Sequence, residues 1–182
     1  MHLYIHHNND ASLIIRYNGG QGMSLIDFYF IFPSIFMIHE MEEIVFMPKF
    51  VSKSLIGNFY IKIKLSYSPF NFNLVVFEEF LLLLITLGLS YKYNNFTIYQ
   101  TIIIAYNYHV IGHIMQSLIL RKYIPGVISG IITGLYCFYF INIFLKGNYH
   151  LFFYSFITLF IIFLNIILSF KIIDKFFPQR TN

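Results

Sequence analysis

Phe36-Met37-Ile38-His39-Glu40-Met41-Glu42-Glu43-Ile44-Val45 sets one histidine and three carboxylates inside an apolar run that continues on both sides. The whole run is long enough for a helix that crosses a bilayer, which takes about 20 residues. Ionisable groups at membrane depth are costly, and they stand there with a partner or a function. The stretch thus speaks for a helical membrane protein and marks the place of its site.

Outward from it, the 182-residue chain is 58% hydrophobic and 11% charged. A soluble domain is roughly 25% charged. Five apolar blocks run from Leu25 to Met47, Phe70 to Leu89, Ile98 to Leu120, Ile124 to Leu145 and His150 to Ile173. The expected architecture is all-α, a multi-pass transmembrane helical bundle of five spans. Such helices associate by packing and by polar contacts rather than by hydrophobic burial.

The organisation expected is one membrane domain over residues 23–175, with a polar extension over 1–22 and a cytoplasmic tail over 176–182. The extension is expected to be disordered or an upstream mis-start, with translation beginning at Met23. His2, His6 and His7 fall in it and are read as part of a solvated tail rather than a metal cluster. Pro48 is expected to end the first helix, Pro69 to open the second, and Pro125-Gly126 to separate the third from the fourth. Gly88 and Gly147-Asn148 mark other expected ends. Gly126, Gly130 and Gly134 recur every four residues, a spacing that lets helices pack closely. Between Lys49 and Ser68, apolar residues alternate with Lys53, Lys62 and Lys64, as in an amphipathic stretch lying on the headgroups.

Cys137 is the single cysteine, so no internal disulfide forms. It is expected against lipid or a neighbouring helix. The net charge of +4 does not point to nucleic acid, because the basic residues stand at the ends of apolar blocks. Lys49, Lys53, Lys62, Lys64, Arg121, Lys122, Lys171, Lys175 and Arg180 lie on one side, and Arg16, Lys92 and Lys146 on the other. The positive-inside rule then puts the N-terminus outside and the C-terminus in the cytoplasm of what is expected to be a bacterial cytoplasmic membrane.

All five glutamates, Glu40, Glu42, Glu43, Glu78 and Glu79, fall inside the first two spans, and His109 and His113 inside the third. His39, Glu42 and Glu43 stand at i, i+3 and i+4, on one helix face. His109 and His113 stand one turn apart, so both can reach one ion. Gln116 continues their face, and Asn107 lies near it. Glu40 is turned about 100° from His39 and belongs at the edge. Counted from the expected inner ends of their spans, His39, Glu79 and His113 lie roughly 10–14 Å deep. One isolated pair of this kind would serve only to hold helices together. Five acids and two imidazoles at one level call for more. The expected metal ligands are His39, Glu43 and His113, with His109 or Glu79 completing the shell. Glu78, Gln116, Asn107 and Glu40 are secondary polar members.

At these residues the chain resembles the HXXEE-domain membrane proteins, whose defining pattern fits His39-Glu40-Met41-Glu42-Glu43. His113-Ile114-Met115-Gln116-Ser117-Leu118, followed by Arg121-Lys122-Tyr123-Ile124-Pro125-Gly126-Val127, looks like the same family's second signature, a helical histidine and then an aromatic-x-Pro-Gly turn. Ile128-Ser129 stands where that pattern usually has threonine. The resemblance covers most of the chain from Met23 to the fifth span. It implies a family of uncharacterised function and so leaves the reaction open.

Three functions are expected to compete. The first is an intramembrane metal-dependent hydrolase using a divalent zinc, iron or manganese ion, with Glu42 as general base and a lipid or membrane-bound substrate. The chain lacks the His-Glu-x-x-His run of zinc proteases. The second is a proton- or cation-coupled transport or permeation unit, since intramembrane Glu and His build relays. The third is a structural membrane subunit. The bilayer is the expected partner in all three, and nucleic acid in none.

Overall fold

A computed structural model describes residues 24–53, 68–145 and 147–177, together with the backbone of 4–6 and 14–16. Within these, β1 (Tyr4–His6) pairs antiparallel with β2 (Ile14–Arg16). Five helices make the body of the protein: α1 (Leu25–Lys53), α2 (Pro69–Lys92), α3 (Thr97–Leu120), α4 (Val127–Phe144) and α5 (Tyr149–Phe176). Of the amphipathic stretch expected from Lys49 to Ser68, Lys49–Lys53 form the end of α1 and residues 54–67 lie outside the described residues, as does the end of the tail.

Local chemistry sets the helix ends. Ser24 and Asp27 cap α1 reciprocally: the Asp27 amide donates to Ser24 Oγ at 3.1 Å and the Ser24 amide to Asp27 Oδ2 at 2.8 Å. Ser68 Oγ accepts from the Asn71 amide at 3.0 Å and Pro69 occupies the first turn of α2. Arg121 takes a left-handed conformation (φ 49°) that closes α3, and the Lys122 amide reaches the Ser117 carbonyl at 3.3 Å.

Two expected ends move. Pro48 does not stop α1, which continues to Lys53. A proline inside a helix deletes one amide donor, and the added turn is held by packing, with Val51 only 3% exposed. Gly88 lies within α2 rather than at its end.

The helices form a ring of four with one addition. α1 packs on α2 and α4, and α3 packs on α2, α4 and α5. α1 and α3 therefore stand diagonally across the bundle and meet through side chains at its centre. Phe28, Tyr29, Phe32 and Ile35 of α1 join Tyr99, Ile103, Tyr106 and Val110 of α3 and Cys137, Phe140 and Ile141 of α4 in one core. Phe28 stacks on Phe140 at 4.4 Å, and the Tyr99 hydroxyl donates to the Tyr29 carbonyl at 3.0 Å. Cys137 is completely buried in this core, against a helix neighbour and not against lipid.

α2, α4 and α5 are each long and apolar enough to cross a membrane. Only 11% of the most apolar window of α5 is buried within the protein, and Phe153, Phe156, Ile157, Phe160, Ile161 and Phe163 face outward. An apolar surface of this extent fits insertion into lipid. α1 and α3 have comparable lengths, 29 and 24 residues, but carry the polar groups inward.

Candidate metal centre

The site begins where the aromatic core ends. One turn beyond Ile35, α1 turns His39 and Glu43 into the ring, and across from them α3 turns in His109 and His113. The i, i+4 spacing puts each pair on one face, and the diagonal placement of the two helices makes those faces meet.

The geometry is tight. Glu43 Oε1 lies 2.8 Å from His113 Nε2, 3.3 Å from His39 Nε2 and 3.6 Å from His109 Nε2. His109 Nε2 and His113 Nε2 are 3.0 Å apart. The three rings meet edge to face, with centroids 4.4 to 5.6 Å apart. One ligand atom from each of the four residues lies within 4.8 Å of all the others. Donors on a tetrahedral ion with bonds of about 2.0–2.1 Å stand roughly 3.3 Å apart. The four residues could hold a metal ion.

Burial makes the arrangement consequential. His39 is 0% exposed, Glu43 6% and His113 7%, whereas the His109 side chain is 39% exposed and forms the open edge. His39 Nε2 and Glu43 Oε1 are buried without a well-formed hydrogen bond, and so is His113 Nδ1. Unsatisfied polar atoms at such depth are costly. Two unprotonated Nε2 atoms cannot bond each other, but both can donate a lone pair to a cation.

α4 closes the site with glycines. A Cβ on Gly126 would stand 2.7 Å from Glu43 Oε1 and 3.0 Å from His39 Cε1, and Gly126 itself has φ +91°. A Cβ on Gly130 would stand 3.2 Å from Val110 and 3.3 Å from the His39 ring. Gly126 and Gly130, four residues apart, let α4 lie directly on the His39–Glu43 face of α1, and Gly134 continues the row against Val110 of α3. Behind His39, the ring of Tyr106 stands edge-on at 5.5 Å, and its hydroxyl shares a 2.6 Å hydrogen bond with Thr133 Oγ1.

The remaining expected members lie elsewhere or at the margin. Glu42, expected as general base, turns away from the imidazoles. Its Oε2 accepts from the Ser129 amide at 2.6 Å, and its Oε1 from the Ile128 amide at 3.4 Å and from the Tyr123 hydroxyl. Partial desolvation and the Glu42 bond push the Tyr123 hydroxyl up to about 12, so it remains a donor at neutral pH. Glu79 is half-buried and outside the four-residue group, but within electrostatic reach of Glu43. Glu40, 5% exposed, lies within reach of both Glu43 and Glu79. Glu78 joins α2 to α5, accepting from Asn165 Nδ2 at 3.1 Å and from Ser169 Oγ at 3.1 Å. Asn107 is buried and donates to the Ile103 carbonyl of its own helix at 3.2 Å. Gln116 is exposed. Ser129, Tyr106 and Thr133 carried no expected role; Ser129 was marked in the sequence only by its place just after the Pro-Gly turn, where the family pattern has threonine.

A family model described as "Protein of unknown function with HXXEE motif" matches residues 30–144, more than half of the chain. The chain belongs to the HXXEE family. The matched stretch begins within α1 and ends with α4, so it holds all but the first turn of the four-helix ring and every candidate ligand, while α5 lies beyond it. No curated protein and no solved structure matches. In structural terms the HXXEE motif divides its labour: His39 and Glu43 face the cluster, and Glu42 faces α4.

Proposed function

We propose that this HXXEE protein is an integral membrane metalloprotein that binds one divalent ion through His39, Glu43, His109 and His113. The observation that carries this is the convergence of four donor atoms from two diagonal helices on one point. Three imidazoles and a carboxylate suit zinc, iron or manganese. Four protein donors complete a tetrahedral zinc, whereas iron and manganese accept further ligands and leave room for a substrate. A bound ion of this kind polarises a carbonyl or phosphoryl oxygen and makes water a nucleophile near neutral pH.

On that basis the protein acts as a hydrolase on a lipid or membrane-bound substrate. Substrate approaches at the half-exposed edge formed by His109. Glu42 is held by the α4 amides, and the proton-accepting role is assigned to Glu79, a half-buried carboxylate of the neighbouring α2. With the N-terminus outside, as the basic residues favour, the site lies in the cytoplasmic half of the bilayer. The test is protein reconstituted in phosphatidylethanolamine–phosphatidylglycerol vesicles with added manganese, iron or zinc. Release of acyl chains or headgroups, lost in Glu79→Gln with metal still bound, supports the hydrolase. Metal-loaded protein that releases neither contradicts it.

One observation favours a second function. Glu40 and Glu79 each act electrostatically on Glu43, and Glu79 on Glu78, which accepts from Asn165 and Ser169 of α5. Carboxylates linked in this way suit a proton- or cation-coupled permeation unit. Proton or cation flux across the same vesicles, without hydrolysis, would select it.

A further inference from the structure

The N-terminus of α4 has no side-chain cap of its own. Its capping position is Gly126, which cannot carry one: its φ of +91° and the 2.7 Å approach to Glu43 Oε1 exclude a Cβ. The first-turn amides of a helix need acceptors, and the positive end of its dipole favours an anion. Glu42 supplies both from another helix. One carboxylate oxygen takes the Ser129 amide at 2.6 Å, and the other takes the Ile128 amide and the Tyr123 hydroxyl. Glu42 and the ligand Glu43 are adjacent in sequence, so the same turn of α1 that presents the metal ligand also grips α4.

We infer that Glu42 is a positioning residue: by capping α4 from α1 it seats Gly126 and Gly130 against Glu43 and His39 and fixes those two ligands opposite the α3 histidines. The inference rests on the metal-binding function proposed above. It explains why two consecutive glutamates stand on one turn, when a single ion could use only the one that faces it. The partner Tyr123 comes from the turn that directly follows α3, so the Glu42 contacts join α1, α3 and α4 at the level of the site. The Ser129 hydroxyl adds a 3.4 Å contact to His39 Nδ1, on the ring edge away from the cluster. A partner at that nitrogen orients a ligating imidazole.

The test is a cobalt(II) titration of the full chain in mild detergent, read by the visible ligand-field bands, for wild type, Glu42→Ala, Glu42→Gln and Tyr123→Phe. Glu42→Ala is expected to weaken cobalt affinity about 10–100-fold and to shift the bands, as loss of an outer partner of a ligand does. Glu42→Gln, which keeps one acceptor oxygen, recovers part of that loss. Tyr123→Phe, which leaves both backbone contacts, has the smaller effect. Wild-type affinity and spectrum in Glu42→Ala would overturn the inference. Hydrogen exchange at the Ile128 and Ser129 amides, without metal, tests the grip separately: protection lost in Glu42→Ala supports it, and unchanged exchange overturns it. Wild type that binds no cobalt but loses this protection in Glu42→Ala would refute the metal and leave the cap standing.

Discussion

His113 Nε2 stands 2.8 Å from Glu43 Oε1, across the bundle from α3 to α1. Neither helix packs its backbone closely on the other, so the contact exists because α2 and α4 hold the pair at the right separation. The site is therefore a property of the whole four-helix ring, and its failures should be traceable to particular walls.

The wall formed by α4 is the most exacting. Gly126→Ala would bring a Cβ to 2.7 Å from Glu43 Oε1 in a backbone of φ +91°. A non-glycine residue in a sparsely populated conformation costs roughly 1–3 kcal/mol. The variant should melt earlier and bind metal less tightly. Gly88→Ala is the control: nothing lies within 4 Å of its Cβ, and the helix continues on both sides. It should be neutral or gain up to about 1 kcal/mol, judged by thermal unfolding in detergent.

Glu78 should behave as a clasp and not as a ligand. Its two oxygens accept from Asn165 and Ser169 of α5. Polar contacts between membrane helices contribute about 0.6–1.7 kcal/mol. Glu78→Leu should lower stability by about that much while metal content stays at the wild-type level. Loss of metal in Glu78→Leu would show that α5 governs the centre.

Cys137 should report global unfolding. It is 0% exposed in the aromatic core, between α1, α3 and α4. A membrane-permeant maleimide should label it slowly in the native protein and quickly above the melting transition. Rapid labelling of native protein would contradict the packing of that core.

Much of the fold was legible because long apolar blocks admit few structures in lipid. Five blocks became five helices, and Pro69 stands at its expected start. The end at Pro48 was not legible, because whether a proline breaks a helix depends on what packs beyond it, and Val51 packs. In the site, spacing within a helix foretold which of its residues share a face: His39 with Glu43, His109 with His113. Spacing could not tell how α1 and α3 would be rotated against each other. That rotation turned Glu42, only one residue from Glu43, toward α4, and left Gln116 outside. Ser129 was hidden for the same reason: its part is played by a backbone amide, and a backbone amide leaves no signature in the residue type.

The most direct measurement is metal content per chain, by elemental mass spectrometry, of protein purified in mild detergent without chelators, for wild type, Glu43→Gln, His113→Ala and Glu40→Gln. About one zinc, iron or manganese ion per chain in wild type and in Glu40→Gln, with none in Glu43→Gln or His113→Ala, is the predicted result. Folded wild type that holds no metal, even after incubation with all three ions, would contradict the central claim.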